Sequence, residues 1–262
     1  EQIGYPVILK STAGGGGIGM RQCEDAVSLQ QAFYGVKRLA EDNFGDAGVF
    51  VEQYVTQARH VEVQVIGDGR GRVLAVGDRD CSLQRRQQKV IEECPAPCLP
   101  DDLRTKLHES ARNLLANVNY RGVGTVEFIY DEKRRQAAFL EVNTRLQVEH
   151  GVTEMVYGID LVEWMVRLAE GSLPDIDELA AKLSPNGHAM QARVYAEDPA
   201  EDFRPSPGLI THAAFPADSA ELRVDTWVTS GSQVSPNFDP LLAKGITHGY
   251  NREASRKALL AA

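Results

Sequence analysis

Oxygen-bearing side chains occupy matching positions on the two strands of a predicted β-hairpin. Glu127 lies on the first strand, and Glu141 and Asn143 lie two residues apart on the second. Successive side chains of a strand point to opposite faces, so Glu141 and Asn143 share one face, and a hairpin midpoint near Arg134 puts Glu127 across from Glu141. Carboxylate and amide oxygens suit Mg²⁺, which can bind phosphate groups at the same time. The hairpin therefore predicts a magnesium site; the alternative is a solvated strand face that carries two unrelated glutamates.

The polar pattern continues past the second strand of this hairpin. Arg145, Gln147 and Glu149 follow Asn143 at alternate positions. An arginine can hold a planar oxyanion through two parallel hydrogen bonds, and a neighbouring carboxylate can remove the proton of that oxyanion. The pattern therefore predicts an oxyanion site with its own general base beside the metal site. A ladder of surface ion pairs is the alternative, but it does not explain why the pattern continues directly from Glu141.

A run of four glycines, residues 14–17, follows a short predicted strand that ends in Lys10. Glycine allows positive φ angles and adds little bulk, so the backbone N–H groups of such a run can close over phosphate oxygens. The run is not a Walker A loop, because no Gly-Lys-Ser/Thr follows it. It fits the dinucleotide-binding fingerprint poorly, because a strand rather than a helix comes next. Lys10 favours a phosphate-covering flap over the alternative, a flexible surface hairpin.

The charged segment 77–89 and the histidine at position 60 are weaker signals. Arg85 and Arg86 fit an ordinary solvated face, whereas Lys89 directly precedes an apolar pair, which is a better position for a functional charge. His60 begins a predicted strand, and a single histidine more often has a structural role than a chemical one.

The composition bounds the class of protein. The 262 residues are 43% hydrophobic and 25% charged, as in an ordinary globular protein. The net charge of −9 argues against a general nucleic-acid binder. No apolar run approaches the roughly 20 residues that cross a bilayer. Cys23, Cys81, Cys94 and Cys98 are too few for a disulfide framework, so we expect inert thiols in a reducing cytosol. The chain begins with neither Met nor a signal peptide, so we expect it to be part of a longer protein.

Alternation and helical spacing predict the elements that carry these residues. The predicted strands are 5–10, a short strand ending at Cys23, 49–52, 60–66, 73–76, 124–130, 137–143, 187–197 and 210–215. The predicted helices are 25–42, 101–119, 159–169 and 252–262. The first elements predict a small α/β lobe and the later hairpins an antiparallel sheet, so the predicted fold class is α+β.

Together these motifs resemble the biotin carboxylase family of the ATP-grasp superfamily. The resemblance rests on Lys10 with the glycine run and on the segments 59–64, 79–86, 88–90, 141–150 and 196–199, which occur in family order. It implies an α+β ATP-grasp fold, with a lid domain in residues 1–56. Residues 57–262 would hold the large lobe and the start of the biotin carboxylase C-terminal region. A preceding nucleotide-associated lobe, the biotin carrier and the carboxyltransferase would lie outside this chain.

The resemblance also implies the cofactors, which are ATP, Mg²⁺ (or Mn²⁺) and carrier-linked biotin, and a role for single residues. The residues implied for ATP are Lys10, Gly15, Gly16, Gly17, Glu52, Val55, His60, Gln84, Glu127 and Glu141. Those implied for the metal ion are Glu127, Glu141 and Asn143. Those implied for bicarbonate are Lys89, Arg145, Gln147 and the backbone of Val148. Those implied to be catalytic are Lys89, Arg145, Glu149 as general base, and Arg193, which would stabilise the enolate of biotin.

The implied activity is the carboxylation of biotin with bicarbonate and ATP, through carboxyphosphate. Ile18, Gly151 and the segment 224–228 are most similar to the urea carboxylase branch, which converts urea to allophanate and is often part of urea amidolyase. The biotin carboxylase of an acyl-CoA or pyruvate carboxylase is an alternative. Another ATP-grasp ligase and a nucleotide-binding fragment without turnover are two more, although the bicarbonate residues and Arg193 argue against the ligase. Asp239 follows Asn-Phe where many relatives have Tyr-Tyr, so it receives no role.

The resemblance finally implies partners and a location. The partners would be a biotin carrier domain and a carboxyltransferase domain of the same or another polypeptide, with bicarbonate as a substrate. It implies no nucleic acid, no membrane and a cytoplasmic location, and it leaves a homo-oligomer open.

Overall fold

A three-stranded antiparallel sheet and one long helix form the first part of the chain. The computed structural model describes residues 3–13, 19–45 and 48–262. The elements are β1 (Val7–Ser11), β2 (Met20–Cys23), α1 (Ala26–Phe44) and β3 (Val49–Gln53), and the strands pair in the order β2-β1-β3. All four predicted elements are therefore present. The glycine run with Gly15, Gly16 and Gly17 lies outside the described residues.

Local sequence fixes both ends of α1. The Asp25 carboxylate accepts a hydrogen bond from the Ser28 backbone N–H at 2.7 Å, and the Ser28 hydroxyl accepts one from the Asp25 N–H at 3.1 Å. This reciprocal arrangement is a capping box, which satisfies N–H groups that a helix start leaves without partners. At the other end Gly45 has a φ of 68°, a left-handed conformation that glycine adopts without strain.

An eight-stranded sheet dominates the rest of the chain. The strands are β4 (Ala58–Asp68), β5 (Val73–Arg85), β6 (Gln88–Cys94), β7 (Arg121–Asp131), β8 (Gln136–Asn143), β9 (His188–Tyr195), β10 (Glu197–Asp198), β11 (Arg204–Pro205), β12 (Gly208–Leu209), β13 (Leu222–Thr226), β14 (Gln233–Val234) and β15 (Leu241–Gly249). Eight of them lie in the order β13-β15-β9-β6-β5-β4-β7-β8, and the short strands form the pairs β10-β11 and β12-β14. The helices are α2 (Asp101–Ala116), α3 (His150–Tyr157), α4 (Leu161–Glu170), α5 (Ile176–Lys182) and α6 (Arg252–Ala261), with a 3₁₀ turn at Pro199–Glu201. The predicted α+β class is confirmed.

The chain divides into two units. The smaller unit consists of the residues up to Ala58 with Gln84–Gln88 and Asp131–Gln136. The larger unit consists of Arg59–Leu83, Lys89–Tyr130 and Ala137–Ala262, and it contains most of the eight-stranded sheet.

The apolar residues of β4 anchor the sheet on α2. Val61, Val63 and Val65 share one face of the strand and belong to one buried cluster with Leu103 and Leu107 of α2. Because side chains alternate along a strand, the opposite face of β4 carries His60, Glu62 and Gln64. The hydrophobic face thus determines which way the polar residues point.

A close contact between α3 and β15 positions the start of α3. Val152 and Val156 of this helix pack in one buried cluster with Ile246 of β15. A Cβ atom added at Gly151 would lie 2.3 Å from the Cδ1 atom of Ile246, so a larger residue here requires the isoleucine to move. Glu149 directly precedes α3 and is therefore held near the sheet.

Two local predictions are wrong. The segment 210–215 is not a strand, because its backbone bonds to a loop: Ile210 donates to the Ser232 carbonyl at 2.9 Å and Ala213 to the Ser230 hydroxyl at 2.9 Å. The predicted strand 73–76 ends too early, because β5 continues to Arg85, and β6 follows from Gln88. Asp78, Arg79 and Asp80 are buried within the sheet, whereas Arg86 is exposed, as predicted for a solvated charge.

No helix in the described part of the chain is long and apolar enough to cross a membrane. All four cysteines are free thiols; Cys23, Cys81 and Cys94 are buried and Cys98 is exposed. Burial raises the pKa of the Cys94 thiol to about 12 and that of Cys81 well above its ordinary value. Because the thiolate is the reactive form, these two cysteines are poor nucleophiles, as the sequence predicts.

Candidate active site

The face of β4 that carries His60, Glu62 and Gln64 is buried although its side chains are polar or charged. Glu62 and Gln64 have no exposed surface (0%), and the side chain of His60 is only 15% exposed. Buried polar groups need hydrogen-bond partners, and a buried charge needs a counter-charge. The partners of this row define the candidate site.

Arg79 of β5 is the fixed centre of that arrangement and is itself fully buried. Its Nε atom donates to Glu62 Oε1 at 2.5 Å, and its Nη1 atom donates to Gln64 Oε1 at 2.7 Å and to Thr153 Oγ1 at 2.9 Å. Its Nη2 atom donates to Thr125 Oγ1 at 3.1 Å. The planar guanidinium therefore ties β4, β5, β7 and α3 together in one rigid geometry.

Lys89 of β6 lies among three carboxylates. Its Nζ atom is 2.6 Å from Glu62 Oε2, 2.8 Å from Glu127 Oε1 and 2.6 Å from Glu149 Oε1. Burial alone would lower the pKa of Lys89, but these carboxylates hold it above its ordinary value, so the side chain is cationic. We call Lys89, Glu62, Glu127 and Glu149 the Lys89 cluster.

Glu149 lies between two cations. One of its oxygens faces Lys89, and the other accepts a hydrogen bond from Arg193 Nη2 at 2.9 Å. Arg193 Nε donates to Glu92 Oε1 at 2.6 Å, and Glu92 Oε2 accepts from Gln191 Nε2 at 3.0 Å. Glu92 is opposite Gln191 in the antiparallel pair β6-β9, so sheet pairing brings together residues about a hundred positions apart.

The three predicted metal ligands converge. Asn143 Nδ2 is 2.9 Å from Glu127 Oε1 and 3.3 Å from Glu141 Oε1, so one amide bridges both carboxylates. A half-turn of this amide directs its oxygen toward both carboxylates, so that all three side chains offer an oxygen ligand. That donor set fits Mg²⁺. Glu127 is buried and Glu141 is exposed, so the group lies at the edge of the cluster.

His60 adds positive charge to the same carboxylates. Its Nε2 atom is 3.2 Å from Glu127 Oε2 and 3.5 Å from Glu62 Oε2. Although burial opposes it, these contacts raise the pKa of His60 to about 9. Burial would raise the pKa of Glu127, but His60 and Lys89 lower it to about 2. At neutral pH both groups are therefore charged, and the site is a dense array of ion pairs.

The residues after Asn143 do not alternate as the sequence suggests, because β8 ends there. Gln147 is buried and its Nε2 atom donates to Glu127 Oε1 at 2.9 Å, so it does join the cluster. The carbonyl of Val148 accepts a hydrogen bond from Lys244 Nζ at 2.7 Å. Arg145 differs from the expected arrangement: it is exposed, and its Nη1 atom donates to the neighbouring backbone carbonyl at 3.3 Å.

Among the described residues, four that are implied for ATP belong to the smaller unit. Lys10 forms an ion pair with Glu52, Val55 is half-buried and Gln84 is exposed. Their contacts with ATP stay predictions, as do those of the glycines outside the described residues.

Sequence reasoning missed four buried polar residues of the site. The sequence pattern could have identified Glu62 and Gln64, because they alternate with Val61, Val63 and Val65. The missed residues are Glu62, Gln64, Arg79 and Glu92. Arg79 and Glu92 gave weaker signals, because each lies next to other charged residues in the sequence and only the fold shows what each charge contacts.

Comparisons with known proteins identify the family of the chain. Residues 1–176 match the family model described as carbamoyl-phosphate synthase L chain, ATP binding domain, and residues 191–262 match the biotin carboxylase C-terminal domain. The chain is 56% identical over 252 residues to urea amidolyase of Saccharomyces cerevisiae. The matched region covers 96% of this chain and 14% of the yeast protein.

Solved structures give the same result. The biotin carboxylase–β-γ-ATP complex from Campylobacter jejuni superposes with a TM-score of 0.92 at 43% identity, over 100% of this chain and 57% of that one. The Kluyveromyces lactis urea carboxylase superposes with a TM-score of 0.74 at 54% identity, over 78% of this chain and 18% of that one. The chain thus spans only part of each relative. It belongs to the biotin carboxylase family of ATP-grasp domains.

Proposed function

We propose that this chain carboxylates carrier-linked biotin with bicarbonate and ATP, as the biotin carboxylase part of a urea carboxylase. One observation carries the proposal: Glu149 bridges Lys89 and Arg193 at 2.6 and 2.9 Å, next to the oxygen donors around Asn143. A base between two cations can accept the proton of a bound anion while the cations hold that anion in place. The similarity to urea amidolyase and urea carboxylase supports the urea branch.

In the first step bicarbonate attacks the γ-phosphorus of ATP. Lys89, Gln147 and the Val148 N–H hold the bicarbonate oxygens, and Arg145 moves in from solvent to complete the anion site. Glu149 accepts the bicarbonate proton, an oxygen forms a bond to phosphorus, and the bond to ADP breaks. The products are carboxyphosphate and ADP. Phosphoryl transfer depends chiefly on position and charge neutralisation, and a prearranged set of cations provides both.

The metal requirement fits the same geometry. Glu127, Glu141 and Asn143 would hold Mg²⁺ or Mn²⁺, since their polar atoms converge on one space at the edge of the Lys89 cluster. The ion would supply charge neutralisation for the phosphate oxygens. His60 and, in the smaller unit, Lys10, Glu52, Val55, Gln84 and the residues Gly15, Gly16 and Gly17 are proposed ATP contacts.

In the second step carboxyphosphate breaks down to CO₂ and phosphate. The phosphate takes the ureido N–H proton of biotin, and that nitrogen forms a bond to CO₂. Arg193 would meet the negative charge that develops on the ureido oxygen as the proton leaves. Its guanidinium is already held by Glu92 and Glu149, so little reorganisation is needed.

Partners and location follow from the proposed reaction. The carboxyl group reaches urea only through a biotin carrier domain and a carboxyltransferase domain, in the same or another polypeptide. We propose a cytoplasmic enzyme, which the four free thiols support.

Carboxylation assays on the intact protein that carries this chain test the branch. With ATP, Mg²⁺ and bicarbonate, we expect urea to stimulate ADP release and to yield allophanate. Propionyl-CoA, acetyl-CoA and pyruvate are the comparison substrates and should leave the rate at its basal level. Stimulation by one of these and not by urea would reject the urea branch and favour the acyl-CoA or pyruvate carboxylase alternative.

The Glu92→Gln variant is expected to lose about 10-fold in turnover, the effect of one charge-assisted hydrogen bond. Burial raises the pKa of Glu92 to about 7, although Arg193 acts to lower it. Below that pH the carboxyl is protonated and Arg193 loses a charged partner; above it the carboxylate holds the guanidinium. At constant bicarbonate concentration, wild-type turnover should therefore fall as the pH drops through 7. This acidic limb of the pH profile should be absent from the variant.

The neighbouring Glu93→Gln variant is the matched control for Glu92. Glu93 contacts His188 at 2.9 Å and Arg252 at 2.6 Å, away from Arg193. It should keep the wild-type pH profile. An acidic limb that persists unchanged in Glu92→Gln would assign the ionisation to another group.

A further inference from the structure

A chain of polar contacts outside the Lys89 cluster reaches the turn of residues 147–150. Lys244 of β15 is only 8% exposed, and its Nζ atom donates to the Val148 carbonyl at 2.7 Å. The same Nζ atom is 3.1 Å from Asp225 Oδ2, which lies opposite Lys244 in the β13-β15 pair. A buried ammonium thus reaches from the C-terminal part of the sheet to the backbone of this turn.

The chain of contacts continues from Asp225 to α3. Arg223 binds both oxygens of Asp225, with distances of 2.7 Å from Nε and 2.8 Å from Nη2. Its Nη1 atom donates to Glu154 Oε2 at 2.6 Å. The remaining oxygen of Glu154 accepts the Leu161 backbone N–H at 2.8 Å, so this carboxylate is fixed on both sides.

His150 makes a second, separate contact with the turn. Its Nδ1 atom is 2.7 Å from the Gln147 carbonyl, whereas its Nε2 atom lies 3.5 Å from Glu154 Oε2, beyond the usual range of a hydrogen bond. Burial, with Lys244 nearby, lowers the pKa of His150, so its ring is neutral at physiological pH. A neutral ring with its proton on Nδ1 donates to that carbonyl. Two successive carbonyls of the turn are therefore held, one by His150 and one by Lys244.

Peptide planarity gives these two contacts a functional consequence. The carbonyl of Gln147 and the N–H of Val148 belong to one planar unit and point in opposite directions. Holding the carbonyl with His150 therefore aims the Val148 N–H. The carbonyl of Val148 belongs to the next unit, which leads into Glu149, so Lys244 fixes the backbone that carries the proposed base.

We propose that Lys244, held by Asp225, is a positioning residue that fixes the bicarbonate-binding turn and orients Glu149. The inference rests on the proposed function, because the turn matters for catalysis only if Val148 and Glu149 handle bicarbonate. Lys244 acts through the backbone, because its Nζ atom contacts the Val148 carbonyl and Asp225.

The test compares Lys244→Met with Arg252→Met in the intact protein. Methionine keeps the length of the side chain but cannot donate to the Val148 carbonyl. We expect the KM for bicarbonate to rise about 10-fold with a fall in kcat, since one charge-assisted hydrogen bond is lost. The KM for ATP should change less than about twofold, within the scatter of changes at distant sites. The control removes the ion pair between Arg252 of α6 and Glu93 of β6, and it should leave the KM for bicarbonate unchanged.

Amide hydrogen exchange separates positioning from a general loss of structure. In Lys244→Met the amides of residues 147–150 should exchange about 10-fold faster, whereas those of β4 and β7 should keep their protection. If Lys244→Met does not fold, Asp225→Asn serves instead, because the Asp225 side chain is 30% exposed and its substitution is easier to accommodate. It should produce the same changes in amide exchange and in the KM for bicarbonate, but smaller ones.

The outcomes distinguish this inference from the proposed function. Wild-type protein without bicarbonate-dependent ATP cleavage overturns both. Wild-type activity combined with an unchanged KM for bicarbonate and unchanged exchange in Lys244→Met overturns the positioning role alone. A raised KM for bicarbonate with faster exchange confined to the turn supports it.

Discussion

Glu149→Gln is expected to lower biotin-dependent ADP formation about 1,000-fold, the middle of the range for loss of a general base. Glutamine keeps the size of the side chain but cannot accept a proton from bicarbonate. The fold should survive, because Lys89 keeps Glu62 and Glu127, and Arg193 keeps Glu92. Steady-state kinetics with saturating ATP measures the effect.

The matched control for this variant is Glu163→Gln. Glu163 lies on α4 with its side chain 52% exposed and pairs with Arg167, so its loss should change turnover by less than about twofold. ATP binding by Glu149→Gln, measured by calorimetry, should equal that of the wild type. A Glu149→Gln enzyme that retains more than about a tenth of wild-type turnover would show that another group removes the proton, because a tenfold loss lies below the range for general-base catalysis.

Arg79→Met is expected to destabilise the chain by about 3 to 5 kcal/mol, the cost of breaking a fully buried ion pair. The side chains of Arg79 and Glu62 are both 0% exposed, and methionine leaves the acceptors on Gln64, Thr125 and Thr153 without this donor. Chemical denaturation gives the free energy of unfolding. Arg79→Lys should recover only part of the loss, since an ammonium cannot reproduce the planar fork.

Arg72→Met is the control for buried charge. Arg72 pairs with Asp68 and Asp175, but its side chain is 47% exposed, so solvent screens the pair. Its loss should cost less than about 1 kcal/mol. Equal effects of the two substitutions would contradict the structural role assigned to Arg79.

Local patterns predicted much of the site because they extend over a single hairpin. Alternation alone placed Glu141 and Asn143 on one face, and the hairpin midpoint placed Glu127 nearby; the Asn143 amide contacts both carboxylates. The small α/β lobe could also be predicted from the sequence, since its strands and helix follow one another along the chain. The assignment of these residues to metal and ATP came from the family resemblance and stays a prediction.

Contacts over long sequence distances could not be predicted in this way. Glu92 meets Arg193 only because β6 pairs with β9, and no local pattern specifies that pairing. Arg145 shows the opposite error: the alternating polar pattern was expected to continue beyond the strand end at Asn143, whereas the chain leaves the sheet there and exposes this side chain. The segment 210–215 is apolar enough for a strand, but serine side chains and loop carbonyls take its backbone hydrogen bonds.

The fate of the bicarbonate oxygens tests the central claim most directly. The intact protein would be incubated with ¹⁸O-labelled bicarbonate, ATP, Mg²⁺ and biotin, and the phosphate released would be analysed by mass spectrometry. If bicarbonate attacks the γ-phosphorus to form carboxyphosphate, the attacking oxygen remains on phosphorus, and each phosphate should carry one labelled oxygen. ADP formation with unlabelled phosphate would mean that water or another nucleophile cleaves ATP, and it would contradict the role proposed for Lys89, Glu149 and Arg193.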